Sequence, residues 1–126
     1  MKFYVCPICK NVVELVVDHH VPVVCCGTKM NLLDPNTENA AVEKHMPVAT
    51  IENDVLTVSV GEVTHPMLEK HSIKFISVKA GNNVLRYNLT PEENPSTKFN
   101  LNGYKGLVQV YAYCDLHGLW KVDVTA

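Results

Sequence analysis

Alternation of hydrophobic and polar residues predicts that most of the chain after residue 40 is built from β-strands. Leu56, Val58 and Val60 recur at the period of two that turns one face of a strand inward. Further β-branched or alternating runs lie at 73–78, 84–89, 107–113 and 119–124. No segment has a helical period longer than two turns. Short strands separated by turn signals are typical of an antiparallel, immunoglobulin-like β-sandwich, so the predicted fold class is mainly β.

A polar stretch at residues 34–39, which contains a proline, divides the chain into segments 1–36 and 37–126. Four of the five cysteines lie in the first segment. A segment of about 36 residues is too small to bury a self-sufficient core, and domains of this size usually need disulfides or a metal. The sequence therefore predicts a small metal-stapled module followed by a larger β-domain.

The valines of the first segment are expected to cover its metal site. Stretches 12–17 and 21–24 are rich in valine and are predicted to pair as a hairpin. The turn would then fall at Asp18-His19-His20. These two histidines are assigned to an exposed turn rather than to metal binding.

Composition and charge narrow the classes of function. With 47% hydrophobic and 19% charged residues, the 126-residue chain has the composition of a globular protein and not of a disordered one. Its net charge of -2 disfavours nucleic acid as a partner, because phosphate contacts require a basic surface. No apolar run approaches a membrane span, and the first residues do not read as a signal sequence. The expected location is the cytoplasm, where cysteines serve more often as metal ligands or redox groups than as disulfides.

The four early cysteines form a candidate metal site. The motif Cys6-x-x-Cys9 is followed, after fifteen residues, by the adjacent pair Cys25-Cys26. Two such turns can converge on one tetrahedral ion, and thiolates favour iron or zinc, between which the spacing does not decide. The adjacent pair should distort the tetrahedron, because neighbouring residues of an extended chain point in opposite directions. A zinc knuckle that only holds the fold and a vicinal disulfide at Cys25-Cys26 are the alternatives.

The second segment carries four histidines and one cysteine in settings that suit ligands. Cys114 and His117 are separated by two residues, so one turn can direct both side chains at the same ion. Prolines close to two of the other histidines fix the backbone at loops. Both a shared metal site and a scatter of unrelated histidines fit this spacing. The donors are His45, His65, His71, Cys114 and His117, a set that suits iron or copper and leaves one position of an octahedral metal open.

These motifs resemble, from end to end, the desulfoferrodoxins, which are two-iron superoxide reductases. The first four cysteines resemble the desulforedoxin-like module, here 1–36. Four short motifs of 37–126 occur in the same order as in the neelaredoxin-like domain, which is an iron-binding β-sandwich. They are Glu43-Lys44-His45-Met46-Pro47, His65-Pro66-Met67, Glu69-Lys70-His71 and Cys114-Asp115-Leu116-His117-Gly118-Leu119-Trp120.

The resemblance implies two irons per chain. The first would be a distorted rubredoxin-like iron bound by Cys6, Cys9, Cys25 and Cys26. The second would be a non-haem iron with four equatorial histidines, His45, His65, His71 and His117, and with Cys114 as the axial ligand. Spacing after the axial cysteine suggests that backbone groups of Leu116 and His117 donate hydrogen bonds to its sulfur.

The resemblance also implies an enzyme, a superoxide reductase that reduces superoxide by one electron to hydrogen peroxide in the detoxification of oxidative stress. Glu43 would be the sixth iron ligand in the oxidised state and would leave on reduction. Lys44 would stand over the open position, attract the anionic substrate and order a water that supplies a proton. The thiolate of Cys114 would donate electron density to the iron.

The implied partners are superoxide, a rubredoxin-like or other small electron donor, and a second copy of the chain in a homodimer. Whether the first iron relays electrons or chiefly holds its module together is left open. Lys10 departs from the family, which often has glycine there, and this change is expected to alter the first site's hydrogen bonding without abolishing binding. Two other functions fit parts of the pattern: a rubredoxin-like electron carrier without substrate turnover, and a zinc-stapled binding module.

Overall fold

A computed structural model describes residues 1–61 and 64–126. The chain divides into two compact units, Met1–Asp34 and Pro35–Ala126. The division lies inside the polar stretch that the sequence marks as a boundary. Within the described ranges, no helix has the length and apolar character that crossing a membrane requires.

The first unit consists of short antiparallel strands around a very small core. Its central strand pairs with one neighbour on each side, and a separate pair forms a tight hairpin. Phe3, Cys6 and Met30 are its buried apolar residues among those described. The strands are β1 Lys2–Val5, β2 Val12–Leu15, β3 Val24–Cys25, β4 Thr28–Lys29 and β5 Asn31–Leu32, with β1 between β2 and β5, and β3 paired with β4.

The valine hairpin expected in this unit is wrong. Strand β2 pairs with β1, with Val5 opposite Val12, so that the first cysteine turn itself closes a hairpin. Strand β3 pairs with β4 across the turn that carries the second cysteine pair, so it does not pair with β2. Val16 is 83% exposed and Val21 is 70% exposed, so these valines do not cover the site.

The second unit is a sandwich of two antiparallel sheets, which confirms the mainly β fold class. One sheet has the order β10-β7-β6 and the other the order β12-β11-β8-β9. The elements are α1 Val42–His45, β6 Pro47–Glu52, β7 Val55–Val60, β8 Ile73–Ala80, β9 Asn83–Asn88, β10 Ser96–Asn100, β11 Leu107–Cys114 and β12 Gly118–Thr125.

The core of this unit lies between the apolar faces of the sheets. Leu56, Val58 and Val60 are buried at alternate positions of β7, as the period of two predicts. Val108 and Val110 do the same on β11, in the opposite sheet. Fully burying one such side chain contributes about 1.5–3 kcal/mol, so these faces hold the sheets together.

The ends of the elements position the chemistry-bearing residues. His45 is the last residue of the single-turn helix α1, His65 follows β7, and His71 precedes β8. Cys114 is the last residue of β11, opposite Gly118 on β12, and a register shift between Tyr113 and Cys114 interrupts its pairing with β8.

Candidate metal centres

The four sulfur atoms of the first unit form a cluster of the size that one metal ion requires. The Sγ atoms of Cys6, Cys9, Cys25 and Cys26 all lie within 4.8 Å of one another. The distance from Cys9 to Cys25 is 3.6 Å, and from Cys25 to Cys26 it is 4.0 Å. A tetrahedral ion with metal–sulfur bonds of about 2.3 Å separates its sulfurs by about 3.8 Å. All five cysteines are free thiols, so the alternative of a vicinal disulfide is wrong.

Left-handed backbone at the adjacent pair explains how both cysteines reach one ion. Cys26 has φ 53° and Gly27 has φ 69°, so the chain here is not extended. The opposite orientation of neighbouring side chains holds for an extended strand, and this turn avoids it. The distortion expected from the vicinal pair is therefore taken up by the backbone.

Backbone amides stabilise negative charge on the sulfurs. The N–H groups of Ile8 and Cys9 donate to Cys6 Sγ at 3.4 Å each, and these bonds, chiefly that from Cys9, lower the pKa of Cys6 to about 6. Hydrogen bonds with Cys9 and Cys6 raise the pKa of Cys25 to about 12. The thiolate of Cys6 thus favours the protonated form of Cys25, and a bound cation would allow all four cysteines to ionise.

Four imidazole rings of the second unit surround a single point. The ring centroids are 4.6 Å apart for His45 and His65 and 4.8 Å apart for His65 and His71. They are 5.0 Å apart for His71 and His117 and 4.8 Å apart for His117 and His45. Neighbouring rings are inclined at 72° to 86°. His45 and His71 stand across the centre at 6.4 Å with nearly parallel planes. A square with these sides has a diagonal of nearly that length, so the four rings form a square.

The tautomers of two of these histidines direct lone pairs at the centre. Nδ1 of His45 lies 2.7 Å from the carbonyl of Ala41, and Nδ1 of His65 lies 2.6 Å from that of Pro66. A carbonyl only accepts hydrogen bonds, so Nδ1 carries the proton and Nε2 carries the lone pair. The two Nε2 atoms nevertheless face each other at 3.0 Å. A cation between them resolves this opposition, as a metal site requires.

The remaining donors complete the set. His117 approaches through Nδ1, which lies 3.1 Å from His45 Nε2 and 4.0 Å from Cys114 Sγ. Ligand atoms of His45, His65, His71 and Cys114 lie within 4.8 Å of one another. Nε2 of His71 is buried and has no hydrogen-bond partner among the described residues. A lone nitrogen of this kind suits a metal ligand, and both donor sets fit the two-iron pattern.

Burial keeps these donors in the form that binds metal. His45 is 2% exposed and His65 is 1% exposed. Burial lowers the pKa of His45 and lowers the pKa of His65 to about 4, so both rings are neutral near pH 7. Burial raises the pKa of Cys114, while amides of Leu116 and His117 oppose that rise. Leu116 and His117 are the two residues predicted to donate hydrogen bonds to the Cys114 sulfur.

Glu43 and Lys44 lie beside the square but outside the cluster of ligand atoms. Both are exposed residues of α1, immediately before His45. The negative charge of Glu43 raises the pKa of His45, but it contributes less to that pKa than burial, the Ala41 hydrogen bond and the neighbouring histidines do. Glu43 also lines a cavity of about 300 Å³ together with Val42 and Met46. Their expected catalytic roles stay predictions. His19 and His20 of the first unit are exposed, as expected.

Residues that no motif predicted hold the ligand-bearing segments in place. Asp115 Oδ1 accepts the Ser72 N–H at 3.0 Å, and Asp115 N donates to the Ser72 carbonyl at 3.2 Å. This links the turn after Cys114 to the residue after His71. At Gly61, an added Cβ would lie 2.5 Å from the Glu43 carbonyl oxygen, so β7 continues into a close backbone contact with α1. An aspartate inside the Cys-x-x-His motif was the available signal for the first contact.

Comparison with known proteins places the chain in a family. Residues 37–123 match the family model described as desulfoferrodoxin. The desulfoferrodoxin of Syntrophotalea carbinolica is 44% identical over 98% of this chain and 96% of its own length. The superoxide reductase of Pyrococcus horikoshii is 31% identical over 65% of this chain and 86% of its own.

Solved structures show the same fold. The superoxide reductase of Treponema pallidum superposes with a TM-score of 0.75 at 24% identity, covering 96% of this chain and 97% of that one. The one-iron superoxide reductase of Giardia intestinalis superposes with a TM-score of 0.56 at 30% identity, covering 67% of this chain and 99% of that one. With the family match and the identities over nearly the full length, this chain belongs to the desulfoferrodoxin family.

Proposed function

We propose that this protein is a superoxide reductase. The reaction adds one electron and two protons to superoxide and releases hydrogen peroxide, with no dioxygen formed. The square of four imidazole rings, with the buried Cys114 sulfur 4.0 Å from His117 Nδ1, carries the proposal. Relatives that bear the name superoxide reductase support the same activity.

The proposed ligand sets are those of the two clusters. Cys6, Cys9, Cys25 and Cys26 would hold one iron, in a four-cysteine module of residues 1–36. His45, His65, His71, His117 and Cys114 would hold the other, in a superoxide reductase domain of residues 37–126. Iron at the second site supplies one-electron redox chemistry when bound. The four histidines would surround the bound metal and leave room at the site for a small anion.

Lys44 and Glu43 are the proposed catalytic pair. Lys44 is an exposed cation next to the ligand His45, so it would attract superoxide to the site and hold a water from which a proton is passed on. Glu43 directly precedes Lys44 in the same helical turn, and its carboxylate would be the sixth ligand in the oxidised state. The amides of Leu116 and His117 would moderate the electron donation of the Cys114 thiolate.

We further propose a small, rubredoxin-like electron donor, cytoplasmic action and a homodimer. Exposed valines support the last point. Val16, Val17 and Val21 of the first unit are each at least 66% exposed, and a unit with so small a core would gain from burying them against a second copy.

Iron content, spectra and product stoichiometry test the proposal. Native protein should hold about two irons per chain and produce one hydrogen peroxide for each superoxide consumed when an electron donor is supplied. Dismutation would give half that yield together with dioxygen. The Cys114→Ser variant should lose the ferric thiolate band of the second site and its activity, whereas His20→Ala, which changes an exposed histidine, should keep both.

Three results would count against the proposal. A protein that holds two irons and cycles electrons without consuming superoxide would be an electron carrier. A colourless, zinc-loaded protein that resists iron reconstitution would be a binding module. An unchanged Cys114→Ser spectrum would remove Cys114 from the ligand set.

A further inference from the structure

Trp120 is the single tryptophan of the chain, and it lies against the square of histidines. Its ring stacks on that of His45, with centroids 5.2 Å apart and planes inclined by 24°. The side chain is 2% exposed. A flat aromatic contact of this kind restrains the rotation of the imidazole about its own axis, which is otherwise a broad torsion.

The polar edge of the same side chain reaches a second ligand residue. Trp120 Nε1 donates a hydrogen bond to the carbonyl of His117 at 3.1 Å. The hairpin of β11 and β12 makes this possible, because its register places Trp120 opposite Ala112, just beyond the turn that bears Cys114 and His117. One side chain therefore contacts a ring on one side of the square and the backbone of a neighbouring ligand.

His117 needs such support more than His45 and His65 do. His45 and His65 are each oriented by an Nδ1 hydrogen bond to a carbonyl. His117 faces the centre with Nδ1 itself, so that nitrogen is committed to the site. Its orientation depends on the placement of its backbone, and the Trp120 hydrogen bond fixes the backbone carbonyl.

We propose that Trp120 is a positioning residue of the iron centre, which orients His45 by stacking and His117 through its carbonyl. This inference rests on the proposed ligand set. It has a second consequence, because the lone tryptophan sits in contact with a ligand ring. Iron bound within the square should quench its fluorescence, which makes Trp120 a reporter of occupancy at the histidine site.

Two substitutions separate the two contacts. Trp120→Phe keeps an aromatic face for His45 and removes the N–H, whereas Trp120→Leu removes both. Phe99→Leu is the matched control, an aromatic-to-aliphatic change in the core of the same unit on β10. The full-length protein would be titrated with ferrous iron without oxygen to give the histidine-site affinity. It would then be oxidised with ferricyanide, and the ferric thiolate band and the reduction potential would be recorded.

The expected order of effects identifies positioning. Trp120→Leu should weaken iron binding at the histidine site about tenfold or more, the scale usual for residues that support metal ligands, and Trp120→Phe should fall between it and the native protein. Both should shift the thiolate band and the potential. Phe99→Leu should lower thermal stability without moving either spectroscopic quantity.

Failure of this inference and failure of the proposed function look different. If native protein takes up the second iron while Trp120→Leu matches it in affinity, band position and potential, Trp120 is a packing residue only and the inference is wrong. If iron occupies the histidine site of the native protein without quenching the tryptophan, the assigned contact is also wrong. If native protein takes up no iron at the histidines, the proposed function fails first.

Discussion

The contact between Asp115 and Ser72 makes a quantitative prediction about how the ligand turn is held. Asp115 lies between the ligands Cys114 and His117, and its Oδ1 accepts the N–H of Ser72, which is buried next to His71. Replacing Asp115 by alanine removes this acceptor and leaves the buried Ser72 N–H without its partner. Of the two hydrogen bonds between Asp115 and Ser72, only the one from Asp115 N to the Ser72 carbonyl would then remain.

The magnitude follows from the two contacts of the carboxylate. A hydrogen bond to a charged acceptor contributes about 1.5–3 kcal/mol. The second contact, from Lys74 Nζ at 3.5 Å, is partly exposed, so solvent screening reduces it to at most about 1 kcal/mol. We therefore expect Asp115→Ala to lower the free energy of unfolding of the second unit by about 2–3 kcal/mol. Asp115→Asn retains an acceptor oxygen and should cost about 1 kcal/mol.

Tryptophan fluorescence during urea unfolding provides the assay. The single tryptophan belongs to the second unit, so the signal follows that unit alone. A loss of 2–3 kcal/mol should lower the urea midpoint by about 1 M or more. Asp123→Ala is the control, because Asp123 pairs with Lys121 on the exposed surface of β12 and should cost under about 1 kcal/mol. Equal midpoints for Asp115→Ala and Asp123→Ala, or equal losses for Asp115→Ala and Asp115→Asn, would refute the reasoning.

Three further predictions concern other features of the two units. Lys10 has a left-handed backbone conformation with φ 66°, so Lys10→Gly should relieve about 1 kcal/mol of backbone strain. Absorbance should then show slower iron loss from the four-cysteine site in denaturant, and faster loss would contradict this. Gly61→Ala should displace α1 and reduce iron binding at the histidines in a metal titration, because its Cβ would overlap the Glu43 carbonyl; native affinity would contradict the contact. In metal-free protein the pKa values of His45 and His65 are lower than in the unfolded chain, so the unfolded state binds more protons. The urea midpoint should therefore fall as the pH is lowered from about 6.5 towards 4.

Local pattern predicted five of the seven strands described in the second unit and missed two. Strands β7, β8, β9, β11 and β12 all lie on predicted runs. Strand β10 consists mostly of polar residues around Phe99, and the inward positions of β6 are Pro47, Ala49 and Ile51, so both carry little periodic signal. The first unit failed for another reason. Its pairing follows the cysteine turns rather than the valines, because so short a chain folds around its site.

The donor residues of the candidate site could be predicted from motifs, but their arrangement could not. His45, His65, His71 and His117 come from four separate segments, and no local spacing states that adjacent rings stand nearly perpendicular around one point. Pairing of β11 with β8 and β12 brings Cys114, His71 and His117 to one end of a sheet, and packing against the sheet of β7 adds His65. These are long-range properties of the fold. Trp120 belongs to a matched motif, but its contacts with the ligands could not be predicted, since a buried tryptophan on a strand reads as core.

The arrangement of the histidines ties metal binding to folding. His65 follows β7 of one sheet, whereas Cys114 and His117 belong to the hairpin of the opposite sheet, so packing of the sandwich brings their donor atoms together. Two Nε2 lone pairs then face each other at 3.0 Å and the buried Nε2 of His71 is left unpartnered, both of which are unfavourable in a metal-free protein. A cation relieves both at once. Substitutions that loosen this packing should therefore weaken metal binding, and bound metal should in turn stabilise the sandwich.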